Sequence, residues 1–277
     1  MTEMDFSRYI IATDLDGTFL GPDGKFVERN IRAVERFRQR GGLFTVSTGR
    51  VHLNIRDAIG DPRALLSAPC VMCNGAYLYD FFEERALEGS IMEAETVSAL
   101  IAFIKKAYPE LQFRVSTPTD LRVERTDGYL TRDLTRYDEG SVLVSPALDW
   151  PTDDWYKIVF RGEPELMQSL RAELQSRFGD QIFMTASDSR FLEVQAPGVN
   201  KAAGLEKLRR ICGGDRILIA CGDYENDREM LQAADIAICP ANAMTEIKEI
   251  CDYTLCHCGE GLIGDIVELL EKGEIGK

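Results

Sequence analysis

Tyr9-Ile10-Ile11-Ala12-Thr13-Asp14-Leu15-Asp16-Gly17-Thr18 sets a short apolar run against a polar turn that carries two carboxylates. A run of this length, ended by a turn, reads as a buried strand. Downstream, Val27 to Arg40 repeats its apolar residues at helical spacing (Val27, Ile31, Val34, Phe37), and Gly41-Gly42 ends that helix. Leu43 to Val46 predicts a second buried strand, closed by Ser47-Thr48-Gly49-Arg50. Cys70 to Cys73 predicts a third, closed by Asn74-Gly75. Strands alternating with helices predict parallel βαβ units.

The last third resumes the pattern. Lys201 to Ile211, Glu225 to Ala234, Ala243 to Ile250 and Leu262 to Glu271 read as helices. Ile217 to Cys221, Ile236 to Cys239 and Tyr253 to Leu255 read as strands. The middle is mixed. Helical stretches at Thr96 to Ala107 and Glu165 to Phe178 lie among strand-like runs at Gln112 to Ser116, Leu121 to Arg125, Tyr156 to Phe160, Ile182 to Ala186 and Phe191 to Gln195. The expected fold is α/β. A doubly wound parallel-sheet core over residues 1–82 and 195–277 carries an α/β domain inserted at 83–194.

Of 277 residues, 45% are hydrophobic and 28% charged, a globular composition that excludes wholesale disorder. The formal charge is −14, which argues against nucleic-acid or anionic-membrane partners. No apolar run approaches the ~20 residues that span a bilayer, and the acidic and basic residues before Asp14 do not suit a secretory leader. Eight cysteines, mostly inside apolar runs, read as reduced thiols of a cytoplasmic protein.

In an open parallel sheet, ligands bind beyond the carboxyl ends of the strands. Asp14 and Asp16 stand at such an end. Clustered carboxylates repel, and a divalent cation such as Mg2+, which prefers oxygen ligands, would relieve them. Gly17 permits a turn whose backbone N–H groups face an anion. Taken alone, this motif also fits an ordinary Asx turn. Three further loop ends add to it. Thr48-Gly49-Arg50 offers a hydroxyl and a backbone N–H, Lys201 opens a helix, and Gly222-Asp223-Tyr224-Glu225-Asn226-Asp227 follows a strand. Together they place carboxylates, a hydroxyl and a lysine on one face of one sheet.

Asp14-Leu15-Asp16-Gly17-Thr18, Ser47-Thr48-Gly49-Arg50, Lys201 and Gly222-Asp223-x-x-Asn226-Asp227 resemble the four motifs of the haloacid dehalogenase superfamily. Asn74-Gly75-Ala76, Phe191-Leu192-Glu193-Val194 leading to Asn200-Lys201, and Asp227-x-x-Met230-Leu231 resemble its Cof-like, type IIB phosphatases. The long insertion fits that group's α/β cap. The resemblance implies an enzyme that hydrolyses a small phosphomonoester, with sugar phosphates the leading class. Asp14 would be the nucleophile. Asp16 would protonate the leaving oxygen and then deprotonate water. Asp14, the Asp16 carbonyl and Asp223 would hold Mg2+. Leu15, Gly17, Thr48, Gly49 and Lys201 would bind the phosphate. Thr18 would orient Asp16, while Asn226 and Asp227 would complete the metal shell or fix Lys201. Asp16 favours phosphoryl transfer over dehalogenation and leaves a phosphomutase open. A phosphometabolite-binding regulator without turnover is a further alternative, disfavoured by the second aspartate.

Other patterns carry blander readings. Gly259-Glu260-Gly261-Leu262-Ile263-Gly264 matches a dinucleotide fingerprint but lacks the strand and acidic residue that should follow. Cys70-x-x-Cys73 sits within a strand, not at a redox turn. Cys251, Cys256, His257 and Cys258 match no common zinc spacing. His52 is expected to be solvated or at a helix start. Arg122, Arg125, Arg132 and Arg136 belong to the insertion, where one or more could face the crevice. Pro240 departs from the family pattern outside the four motifs. Oligomeric state and substrate are left open.

Overall fold

Five short strands lie side by side and parallel in the order β14-β13-β12-β1-β2. They are β1 (Tyr9–Thr13), β2 (Leu43–Val46), β12 (Ile217–Cys221), β13 (Ile236–Pro240) and β14 (Tyr253–Leu255). The computed structural model describes residues 4–128, 134–137 and 140–276. All of β1 is buried, as a near-continuous apolar run in a sheet covered on both faces should be. Its alternate side chains separate. Ile10 and Ala12 pack with Leu205, Leu208, Met230 and Leu231, whereas Ile11 packs with Val34, Phe37, Ile266 and Val267. Helices Glu28–Gln39 and Leu262–Lys272 contact each other, and helix Lys201–Ile211 contacts Arg228–Ala233. The expected doubly wound α/β core is therefore present. No helix among the described residues is long and apolar enough to cross a membrane.

A second sheet of six strands has the order β10-β11-β9-β6-β7-β8 and is antiparallel except for β7 against β8. Its strands are β6 (Gln112–Ser116), β7 (Leu121–Val123), β8 (Val142–Val144), β9 (Lys157–Arg161), β10 (Phe183–Thr185) and β11 (Phe191–Gln195). Helices Ala94–Ala107 and Pro164–Phe178 belong to the same stretch of chain. Their buried residues, Leu100, Ile104, Leu170 and Leu174 among them, join Phe113, Val115, Ile158 and Phe160 in the core.

The third expected strand differs. β3 (Cys70–Met72) does not join the ladder of the parallel sheet; it meets β2 at an isolated parallel bridge between Ser47 and Val71. It heads an antiparallel sheet with β4 (Tyr77–Asp80) and β5 (Arg85–Gly89). Neither β4 nor β5 was foreseen, because β5 is mostly exposed and lacks apolar alternation. A boundary at residue 82 would cut this hairpin. Glu225 to Ala234 also divides into a 3-10 turn, Glu225–Asp227, and a shorter α-helix, Arg228–Ala233. The Asp227 carboxylate accepts from the backbone N–H groups of Asp223 and Tyr224 and pins the chain at that turn.

Candidate active site

The strand order reverses between β1 and β12, the kind of switch point at which a crevice opens beyond the strand ends. Asp14 N–H donates to the Cys221 carbonyl (2.8 Å), so the ladder ends with Asp14 beside the β12 loop. The chain then turns at Gly17, with φ +85°. A Cβ there would lie 2.5 Å from Asp223 Oδ2, so both conformation and space require glycine. Asn242 Nδ2 donates to the Gly17 carbonyl (2.8 Å) and steadies the turn.

Lys201 begins the helix Lys201–Ile211, capped by Asn200, whose Oδ1 accepts from Ala203 N–H (2.9 Å). Gly75 packs directly on that start, where a Cβ would meet the Asn200 carbonyl at 2.0 Å. Lys201 Nζ is fully buried and donates to Asp14 Oδ1 (2.6 Å) and Asp227 Oδ1 (2.5 Å). Burial works against its charge, but the two carboxylates outweigh it and push the pKa up. Thr18 Oγ1 donates to Asp223 Oδ1 (2.7 Å). Arg50 grips Asp16 with a fork, Nε to Oδ2 at 2.8 Å and Nη2 to Oδ1 at 2.7 Å. Desolvation would raise the Asp16 pKa, but the Arg50 fork prevails and holds it below the usual carboxylate range.

Asp14, Asp223 and Asp227 bring carboxylate oxygens within 4.8 Å of one another. Burial, then repulsion from Asp227 and Asp223 against the pull of Lys201, holds Asp14 well above the usual range. Burial and then the Asp227 charge push Asp223 up to about 7. Asp227 commits Oδ1 to Lys201 and Oδ2 to two backbone N–H groups. Asp14 and Asp223 are thus the pair suited to a hard cation, since the donors are all oxygen and the crowded charge favours one. A cavity of about 240 Å³ opens over them. Asp14, Asp16, Thr48, Gly49, Arg50 and Asp223 line its floor; Arg114, Arg136, Lys157, Phe191 and Glu193 form the facing wall.

Residues 11–261 match the family model for haloacid dehalogenase-like hydrolases. The chain belongs to this family. It is 29% identical over 247 residues to the HMP-PP phosphatase of Klebsiella pneumoniae, covering 86% of each chain. It is 25% identical over 255 residues to the 5-amino-6-(5-phospho-D-ribitylamino)uracil phosphatase of Bacillus subtilis, covering 91% of this chain and 93% of that one. Among solved structures, the fold is shared with a HAD/COF-like hydrolase from Plasmodium vivax at TM-score 0.83 and 21% identity, covering 96% of each chain. It is also shared with the HAD subclass IIB sugar phosphatase BT4131 at TM-score 0.81 and 19% identity, covering 96% of this chain and 100% of that one. This haloacid dehalogenase-like chain is a Cof-like member and a hydrolase of the phosphatase type.

Asp14, Asp16, Thr48, Gly49, Asp223 and Asn226 all reach the cavity. Lys201, Asp227 and Thr18 stand behind it, fully or almost fully buried. One expected role shifts. Thr18 holds Asp223, whereas Arg50 holds Asp16. Asp227 fixes Lys201, while Asn226 donates to Asn74 Oδ1 (3.3 Å). The Leu15 side chain is buried in the core, leaving only its backbone for a phosphate. His52 is half-buried, just ahead of the helix Ile55–Ile59. It stacks on Tyr79 with ring centroids 4.4 Å apart, and its Nδ1 lies 2.9 Å from the Tyr77 hydroxyl. Among the insertion arginines, Arg136 lines the cavity, Arg122 is buried against Asp120 and Asp154, and Arg125 pairs with Asp127. Arg132 lies outside the described residues.

The glycine-rich Gly259 to Gly264 run starts the helix Leu262–Lys272, and a Cβ at Gly264 would strike Arg29 at 2.7 Å. His257 Nδ1 accepts from Gly259 N–H within the preceding turn. All eight cysteines are free thiols. Sequence reasoning missed Lys157 and Arg114 in the cavity wall. A readable signal existed for Lys157, a charged residue within the otherwise apolar run Tyr156 to Phe160.

Proposed function

We propose that this chain is a Mg2+-dependent phosphatase that hydrolyses small phosphomonoesters through an aspartyl-phosphate at Asp14, with sugar phosphates the leading substrate class. The observation that supports this most is Asp14 itself, open to the cavity in front and hydrogen-bonded to the buried Lys201 behind. Asp14, Asp223 and the Asp16 carbonyl would hold the ion. When bound, Mg2+ shields the anionic nucleophile from an anionic ester and neutralises charge on the phosphoryl oxygens.

The Asp14 carboxylate attacks phosphorus, and the bond from phosphorus to the leaving oxygen breaks. Asp16 gives that oxygen its proton, then takes a proton from the water that attacks the phosphoryl-aspartate, freeing phosphate and Asp14. Arg50 must loosen its fork for Asp16 to do this. Thr48 and the Gly49 N–H, with the backbone of Leu15 and Gly17, bind phosphate oxygens. Lys201 supplies fixed positive charge from behind Asp14. We assign the wall over the site to an inserted unit running from about Ser90 to Gln195, whose closure excludes water during transfer. Free cysteines throughout are in keeping with a reducing, cytoplasmic setting.

A second reading concerns the leaving group. Tyr137, Phe191 and Tyr224 line the cavity, and aromatic faces suit a substrate that carries a ring. The test is phosphate release from a panel of sugar phosphates, nucleotides, pyrimidine-bearing phosphates and an aryl phosphate. It is run with and without Mg2+, for wild type and Asp14→Asn. Mg2+-dependent release that Asp14→Asn abolishes is the expected result, and the panel ranks the leaving groups. Isomer interconversion without phosphate release would favour a mutase; tight binding without turnover would favour a regulator.

A further inference from the structure

Lys157 and Glu193 come from neighbouring strands of the six-stranded sheet, β9 and β11. Their side chains are only 3% and 5% exposed, and they form an ion pair at 2.6 Å. Two buried charges of this kind are costly to desolvate and do not by themselves argue for stability. What distinguishes this pair is where its remaining bonds go. Lys157 Nζ also donates to the Gly49 carbonyl at 2.7 Å, in the loop that ends β2 of the core sheet. Glu193 Oε2 accepts from Asn74 Nδ2 at 2.7 Å, in the loop that ends β3. Both charges are therefore spent on the loops that frame the cavity.

The Gly49 carbonyl belongs to the same peptide plane as the Arg50 N–H. That N–H donates to Thr48 Oγ1 at 3.2 Å. One rigid peptide thus has the Lys157 ammonium at its carbonyl end and the Thr48 hydroxyl at its amide end. An ammonium on the carbonyl polarises the peptide and strengthens the N–H at the other end. Because Thr48 Oγ1 accepts from that N–H, its single hydrogen is left to donate into the cavity. Gly49 leaves no room for adjustment: a Cβ would stand 3.0 Å from Asn74 Oδ1 and 3.5 Å from Lys157 Nζ.

We propose that Lys157 is a positioning residue for phosphoryl transfer, which reaches from the second sheet through the Gly49–Arg50 peptide to aim the Thr48 hydroxyl at the phosphate. This rests on the phosphatase reading above. It makes the phosphate cradle complete only when the six-stranded sheet is docked, so binding of the ester and closure over it are one event.

Two variants test it, Lys157→Met and Lys157→Met/Glu193→Gln. The double variant removes both charges, so no buried ion is left unpaired, and it keeps an amide oxygen for Asn74. The readouts are kcat and KM on the best ester of the panel, with unfolding by urea as the check on the fold. We expect kcat to fall about 10- to 100-fold in both variants with KM within about threefold, the scale of a misaimed contact. The double variant should unfold near the wild-type midpoint. Recovery of wild-type kcat in the double variant would trace the loss to an unpaired Glu193 and overturn the proposal. So would a kcat in Lys157→Met within about twofold of wild type. A wild-type protein that hydrolyses no ester overturns the phosphatase reading and this proposal together, whereas an active wild type with unaffected variants overturns this one alone.

Discussion

Lys201 and Asp227 meet at 2.5 Å with both side chains withdrawn from solvent. Asp227 uses its second oxygen to hold the backbone of Asp223 and Tyr224, so Lys201 is fixed to the loop that carries Asp223. Lys201→Met removes the cation that Asp14 and Asp227 share. Breaking a buried pair in this way costs about 3–5 kcal/mol. Urea unfolding in metal-free buffer should show that loss, and phosphate release should fall by about a thousandfold or more. Unchanged stability would mean that the pair is not maintained in solution.

Asp16 is assigned to proton transfer, so its removal should matter according to the leaving group. Asp16→Asn is expected to slow hydrolysis of alkyl phosphates by about 10²- to 10⁴-fold. An aryl phosphate, whose departing oxygen needs no proton, should lose far less. Equal losses on both ester types would assign Asp16 to metal or phosphate binding alone.

The crowding of Asp14, Asp223 and Asp227 predicts metal-linked stability. Mg2+ at about a hundredfold excess over its Kd should stabilise the fold by about 2.7 kcal/mol. Asp223→Asn should abolish that gain while leaving the metal-free protein as stable as before or more so, because it relieves repulsion on Asp14. Thermal unfolding with and without Mg2+ measures both.

Burial of His52 lowers its pKa from 6.5 to about 4. The folded protein therefore binds fewer protons than the unfolded chain between those values, and stability falls as the pH falls through that window. The full contribution is present above 6.5. His52→Gln should flatten the stability curve between pH 6.5 and 4, where His52 adds a slope of up to about 1.4 kcal/mol per pH unit. Identical slopes in wild type and variant would show that His52 titrates as it does in the unfolded chain.

The extent to which these features are readable in the sequence follows the range of the interactions. β1, β2, β6, β11, β12, β14 and the helix at Lys201 lie where the apolar runs place them, because strand burial and a helix start are local. The carboxylates and Thr48 were legible because a parallel sheet carries every strand end to one edge. The partner of Asp16 was not: Arg50 lies 34 residues away, and nothing local distinguishes its fork from the Thr18 hydroxyl nearer by. Lys157 lies 108 residues from Gly49 and 36 from Glu193. Lys157 appears only as an unexplained charge in an apolar strand, a signal that marks burial without naming the partner. β5 escaped notice because it is held by ladder bonds to β4, with little apolar surface of its own.

Strand β1 of the core sheet pairs Tyr9 with Ile217, and the Tyr9 hydroxyl donates to the Gly276 carbonyl at 2.7 Å across 267 residues of chain. During synthesis β1 is therefore exposed long before one of its two neighbours exists. The six-stranded sheet has all its strands between Gln112 and Gln195 and can pair before the ribosome reaches β12. Assembly of the catalytic edge therefore waits until β12 has been made, and until then the Ile10-Ile11 strand has one edge unpaired.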